Sequence, residues 1–249
     1  MKPAAVLAAL LSVSPTIRLS VAQSPRAANP ERPTVATHAY AVTPGYVELE
    51  QGVRALGVRS LSEGTSWDFN LKIGLRRNVQ LGVFGAGYTR TGGGGGVGDH
   101  GVTLKLTTEL SPATAIALVP GVSFPFGNEA LGHGAGRTLG SLVGVLSADV
   151  RWGLHLDFNA GPVAIGGGRP QWFSSAGVGK AFGPLGIAVE LFDFTAGGAG
   201  ERQRGLLGSV LVTVTEWAVA DLGGVWGMTV ESPDQLFVGL TTNLGRIFK

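Results

Sequence analysis

The sequence predicts an all-β chain, a transmembrane antiparallel up-and-down β-barrel of about twelve strands with short periplasmic turns and long extracellular loops. Three observations carry that prediction. Strict apolar–polar alternation recurs in segments of about ten residues, the length that a tilted strand needs to cross a bilayer. The connections between segments alternate short and long without exception, as they do in outer-membrane barrels. Charged residues make up only 14% of the 249 residues while glycine is 41 of them, so the chain cannot cover itself in charge as most soluble domains do.

The clearest unit spans residues 66–87. Trp67, Phe69, Leu71, Ile73 and Leu75 alternate with Asp68, Asn70, Lys72, Gly74 and Arg76, and after Arg77 and Asn78 the pattern resumes at Val79, Leu81 and Val83. A period of two gives a strand one apolar and one polar face. The same unit recurs along the chain. Residues 46–56 place Val47, Leu49, Val53 and Ala55 opposite Glu48, Glu50 and Arg54, and residues 101–110 place Val102, Leu104 and Leu106 opposite Lys105 and Glu109. Strands follow at 114–126, 139–150, 154–159, 171–180, 185–194, 205–214, 218–228 and from 235 to about 244. The glycine run Gly92 to Gly96 reads as a flexible exterior loop.

A soluble sandwich or lipocalin also alternates, its apolar face being its core. Low charge, regular loop alternation and a second face rich in Gly, Ser and Thr favour the membrane barrel. Trp67, Trp152, Trp172 and Trp217 fall near strand ends, where aromatic girdles sit. In lipid such a sheet must close.

Upstream, Lys2 and the apolar run from Ala4 to Val13 read as a secretory signal over residues 1–22, with Ser20, Val21 and Ala22 offering small residues for cleavage. Residues 23–44 are Pro- and Ala-rich without periodicity and read as a periplasmic or lumenal lead-in, with the barrel at 45–249. Removal of 1–22 takes away Lys2 and Arg18 and no acid, leaving 17 basic against 17 acidic residues. A neutral mature chain argues against nucleic acid as a partner. There is no cysteine, so closed hydrogen bonding and apolar burial must supply the stability.

Short motifs resemble one family. Arg32-Pro33, then Thr43-Pro44-Gly45-Tyr46-Val47-Glu48-Leu49-Glu50, is similar to the opening of the outer-membrane transporters associated with the meta-pathway of phenol degradation. Gly96-Val97-Gly98-Asp99 followed by Lys105, and Val122-Ser123-Phe124-Pro125-Phe126-Gly127, resemble that family's Gly-x-Gly-Asp and Pro-x-Gly steps. Glu31 stands where the family usually has Asp. The resemblance implies a barrel and a transport role, and small apolar or aromatic compounds as the solute.

No motif points to covalent chemistry, a metal site or a cofactor. The glycine run lacks the Gly-Lys-Ser/Thr ending of a phosphate loop and precedes a strand. His155 and Asp157 share a strand face and read as a lumenal hydrogen-bond pair rather than part of a hydrolase. The candidate lumen lining is Glu48, Glu50, Arg54, Asp68, Lys72, Lys105, Glu109, Asp149, His155, Asp157 and Glu190. Mixed charge on an inner wall either lines a water path or interlocks as a plug. The reading is therefore a non-enzymatic outer-membrane channel for passive passage of small solutes, with 23–44 as its gate. Its expected partners are outer-membrane lipid, the solute and the barrel-assembly machinery. A non-conducting structural or surface-binding barrel is the alternative.

Overall fold

Alternating chains of this kind satisfy their backbone only by pairing, and here the pairing closes on itself. The computed structural model describes residues 24–57 and 64–248. Its strands are β1 (Tyr46–Leu56), β2 (Gly64–Arg76), β3 (Val79–Thr91), β4 (Gly94–Gly96), β5 (His100–Ser111), β6 (Thr114–Phe124), β7 (Leu139–Val150), β8 (Leu154–Val163), β9 (Gln171–Phe182), β10 (Leu185–Phe194), β11 (Gln203–Thr215), β12 (Ala218–Gly227) and β13 (Gln235–Arg246). Neighbours in sequence pair antiparallel, and β13 returns to β1 in a register running from Tyr46↔Arg246 through Gly52↔Gly239 to Leu56↔Gln235. The wall is a closed twelve-strand barrel, with β4 standing outside it. Closure leaves no edge strand to satisfy. The expected signal segment, 1–22, lies outside the described residues.

The outer face is apolar along the whole wall. On β10 Leu185, Ile187, Val189 and Leu191 are exposed, as are Leu206, Val210, Val212 and Val214 on β11 and Ile116, Leu118 and Val122 on β6. So large a continuous apolar surface marks a partner, and around a closed barrel that partner is lipid. Trp67 and Trp172 lie towards the long-loop end and Trp152 and Trp217 in short turns, all four exposed. They form two aromatic belts at opposite ends.

Two expectations are corrected. The glycine run is no open loop: Gly94–Gly96 forms β4 and folds back on Thr89, Arg90 and Thr91. A side chain at Gly95 would collide with the Tyr88 hydroxyl, so glycine there permits the phenol to cover the hairpin. Strand β8 also runs past residue 159 to Val163. Its pairing to β7 stops at Ala160, so Pro162, paired only to β9, removes no ladder hydrogen bond on the β7 side.

Candidate functional site

Residues 24–44 form no strand, yet they touch strands right round the ring, which places them inside the barrel. The inner wall supplies their hydrogen bonds. The amide of Asn29 donates to Glu48 (2.6 Å), that of Glu31 to Glu50 (2.5 Å) and that of Val42 to Gln80 (2.8 Å). Across the lumen, Val35 and Ala36 donate to the two carboxylate oxygens of Glu190 (2.8 and 2.9 Å), Thr37 to Asn159 (3.2 Å) and Ala39 to Ser147 (2.8 Å). A segment without a ladder of its own must find such partners, because a buried amide left unpaired is costly.

At the centre lies a buried charge cluster. Lys72 Nζ is 2.5 Å from Glu48, 2.8 Å from Glu50 and 3.8 Å from Glu31, and all of these side chains are nearly or fully buried. Lys105 Nζ lies 2.7 Å from Glu31 and donates to the carbonyl of His38 (2.7 Å). Burial alone would raise the Glu31 carboxyl, but Lys105 and then Lys72 overcome it and hold the group well below the usual carboxylate range. His38 is pushed down to about 3 by burial and then by Lys105, against the pull of Glu31. Its Nδ1 accepts from the Tyr40 amide, so the neutral ring carries its proton on Nε2.

The structure brings nine of the eleven predicted residues together in three groups and leaves Glu190 and Glu109 outside them. Glu48, Glu50, Lys72 and Lys105 make the central cluster with Glu31 of the segment, and Glu190 stands across the lumen from it. His155 bridges Asp149 (2.7 Å) and Asp157 (3.3 Å). Arg54 pairs with Asp68 (3.1 Å) towards the long-loop end, apart from the rest. Glu109 sits at the short-turn rim with Arg77, 3.5 Å away and both exposed. Ser147 donates to Asp157, not to His155, and at the same time accepts from the Ala39 amide. A nucleophilic serine would need the imidazole as its base, and this serine is spoken for on both sides. Among the described residues no set of three His, Cys, Asp or Glu is placed to hold a metal.

Sequence reasoning passed over several participants. Thr107, Ser147 and Asn159 share strand parity with Lys105, Asp149 and His155, and Gln80 stands on the lumenal face of β3; all four are uncharged and so carry no charge signal in the sequence. Asp221 of β12 pairs with Arg32 of the segment at 3.3 Å. That guanidinium lies against bare backbone where β1 and β13 pair: a Cβ at Gly239 would stand 2.5 Å from Arg32 Nε.

Two further features shape the interior. Phe173, Phe192, Leu207, Val225 and Phe237 form a buried apolar layer, and Phe194 stacks on Phe173 at a centroid distance of 4.7 Å. A cavity separates the segment from the wall of β8 to β11, lined by His38, His155, Gly177, Gly179, Ala188 and Glu190. Glycine and alanine on β9 and β10 leave that space open.

No protein-family model matches the chain, and no curated protein matches it. Among solved structures it is similar to the porin KdgM in complex with disordered oligogalacturonate, with a TM-score of 0.59 and 8% identity over 80% of this chain and 99% of that one. It is similar also to the NanC porin (TM-score 0.57, 9% identity, 80% and 100% of the two chains). An outer membrane channel from Pseudomonas putida F1 gives a TM-score of 0.63 at 12% identity, over 85% of this chain and 100% of that chain. At these identities the likeness is one of fold: the chain has the barrel architecture of outer-membrane porins and channels.

Proposed function

We propose that this protein is an outer-membrane channel through which small solutes pass passively, with residues 24–44 as the gate that occupies its lumen. The observation that carries the reading is the inverted barrel, apolar outside and polar within, filled by a segment held through side chains of the wall rather than by strand pairing. Such a segment can leave without opening the wall. In this reading the chain is exported, the barrel-assembly machinery inserts it, lipid covers the apolar belt and the short turns face the periplasm. Glu48, Glu50, Lys72, Lys105, Asp149, His155, Asp157 and Glu190 line the path, Arg54 and Asp68 stand at its outer end and Glu109 at its inner rim. The protein performs no covalent chemistry.

Small apolar or aromatic compounds are the solute class favoured by the resemblance of the Thr43 to Glu50 and Val122 to Gly127 motifs to the phenol-pathway transporters. The Phe173, Phe192 and Phe194 layer supports the same class. The test is uptake into liposomes loaded with the full-length protein, comparing phenol-sized aromatics with sugars of similar mass. Faster entry of the aromatics than into protein-free liposomes supports the reading. Equal entry with and without protein, from a barrel shown to be folded, sinks it. The second reading, a non-conducting surface-binding barrel, is favoured by the complete burial of Lys72 between Glu48 and Glu50, and that null result would select it.

A further inference from the structure

The inner wall reads the segment mainly through its main chain. The amides of Asn29, Glu31, Val35, Ala36, Thr37, Ala39 and Val42 each donate to a side-chain oxygen of the wall. The carbonyls of Asn29, Thr37, His38, Ala39 and Tyr40 accept from Lys72, Asn159, Lys105 and Thr107. At Thr37 the Asn159 carboxamide does both, accepting from the amide at 3.2 Å and donating to the carbonyl at 2.9 Å, as the peptide group of a neighbouring strand would. Glu190 takes two consecutive amides with its two oxygens. Side chains contribute through fewer residues, chiefly Glu31 to Lys72, Lys105 and Gln80, Arg32 to Asp221, and Thr37 to Lys105.

Amides and carbonyls are the same in every peptide. A surface that satisfies them, as in strand addition, draws its affinity from the backbone and its selectivity from the few side-chain pockets along the way. We propose that the barrel interior is a binding track for a peptide main chain, with residues 29–42, which turn at Arg32 and Pro33 and bend at Val35, Ala36 and Ala39, as its resident ligand in cis. The track accepts in trans another peptide that follows the same turning course and carries a carboxylate at the Glu31 position, a cation beside it and small residues where Ala36 and Ala39 are buried against the wall. This holds whether or not solutes pass the lumen.

The experiment uses the full-length chain with a protease site inserted after Pro44, folded intact and then cut, so that the segment is held only by its lumenal contacts. Three synthetic 24–44 peptides then compete for the barrel. One is the parent. The second replaces Thr34, Val35, His38 and Val42 by alanine. The third keeps every side chain and replaces the amides of Ala36 and Ala39 by esters, removing two N–H donors without adding bulk. The expected result is that the alanine peptide binds within about tenfold of the parent while the ester peptide is at least about 30-fold weaker, since each lost bond leaves a buried acceptor unpaired. An ester peptide within about threefold of the parent, or an alanine peptide weaker than the ester, overturns the proposal. Should the cut barrel retain its segment, hydrogen exchange on the uncut Glu190→Gln variant decides. Val35 and Ala36 amides exchanging at least about tenfold faster than in the parent, with Ala39 and Val42 unchanged, support the track, and unchanged Val35 and Ala36 overturn it.

Discussion

Glu31 of the lumenal segment and Lys105 of β5 form a buried ion pair at 2.7 Å, the closest charged link between the segment and the wall. Lys105 also donates to the His38 and Tyr40 carbonyls, so one ammonium binds the segment at several points. Truncating one partner of such a pair leaves the other charge buried, here with Lys72 at 3.8 Å as Glu31's remaining cation, which costs up to about 3–5 kcal/mol. Lys105→Met is therefore expected to loosen the segment by that order. Hydrogen exchange across residues 29–42 should accelerate while the strands remain protected. Unchanged protection would show that this pair does not hold the segment.

Acid should release the segment, and its own groups define the window. His38 has its ordinary value at 6.5 and lies at about 3 when docked. The displaced ring therefore binds a proton that the docked ring refuses, and docking weakens as pH falls below 6.5. The loss is about 1.4 kcal/mol per pH unit. Lys105 and Lys72 repel the protonated ring, and Glu31 and Asp157 partly offset them. Glu31 itself is held below 4.5, so its contribution is intact above that pH and fades only in stronger acid. Between pH 6.5 and 4.5 His38 is the segment's own titrating group, and through it docking should weaken over that range. His38→Gln should flatten the dependence, read as exchange protection of residues 29–42 against pH. A variant as pH-sensitive as the parent would contradict this.

Gly74 of β2 is where the segment leaves the lumen. A Cβ there would collide with the carbonyls of Val42 and Thr43, which are backbone and cannot swing aside. Gly74→Ala is expected to displace the segment at the short-turn rim and break the Val42 to Gln80 bond, at a cost of about 1–3 kcal/mol. Gly208→Ala, with nothing near its missing Cβ, is the matched control. Equal melting temperatures for the two variants would count against the close approach.

The apolar belt makes a prediction of its own. Val189 is central in β10 and 46% exposed on the outer face, whereas Val230 is 98% exposed in the β12–β13 connection. Val189→Arg should cost about 2–4 kcal/mol in lipid, and Val230→Arg about 0–1 kcal/mol. Denaturant unfolding in bilayers reads both. Equal costs would place Val189 outside the hydrocarbon.

The wall was legible because its period is local. Trp67 to Leu75 alternates within one strand, and lipid on one side with a polar lumen on the other leaves no other placement for such a pattern. The C-terminal end of β8 was less legible, since Ala160, Gly161 and Pro162 have no apolar alternation and are held by Ser174, Phe173 and Trp172 of the next strand. The central charges were found by parity, but their grouping was not: Arg54 with Asp68 and Glu109 with Arg77 sit apart from the Lys72 cluster. The path of residues 24–44 left no local trace. Ala39 finds Ser147 and Val35 finds Glu190 across more than a hundred residues of chain, and an aperiodic Pro- and Ala-rich stretch does not announce such partners.

The most direct measurement is single-channel conductance in a planar bilayer, comparing the protein of residues 23–249 with a variant of it lacking residues 24–42. The intact protein should give small or rare current steps, and frequent, larger discrete steps should appear once the segment is gone. Indistinguishable conductance from the two folded proteins would contradict the assignment of this segment as the occupant that controls the lumen.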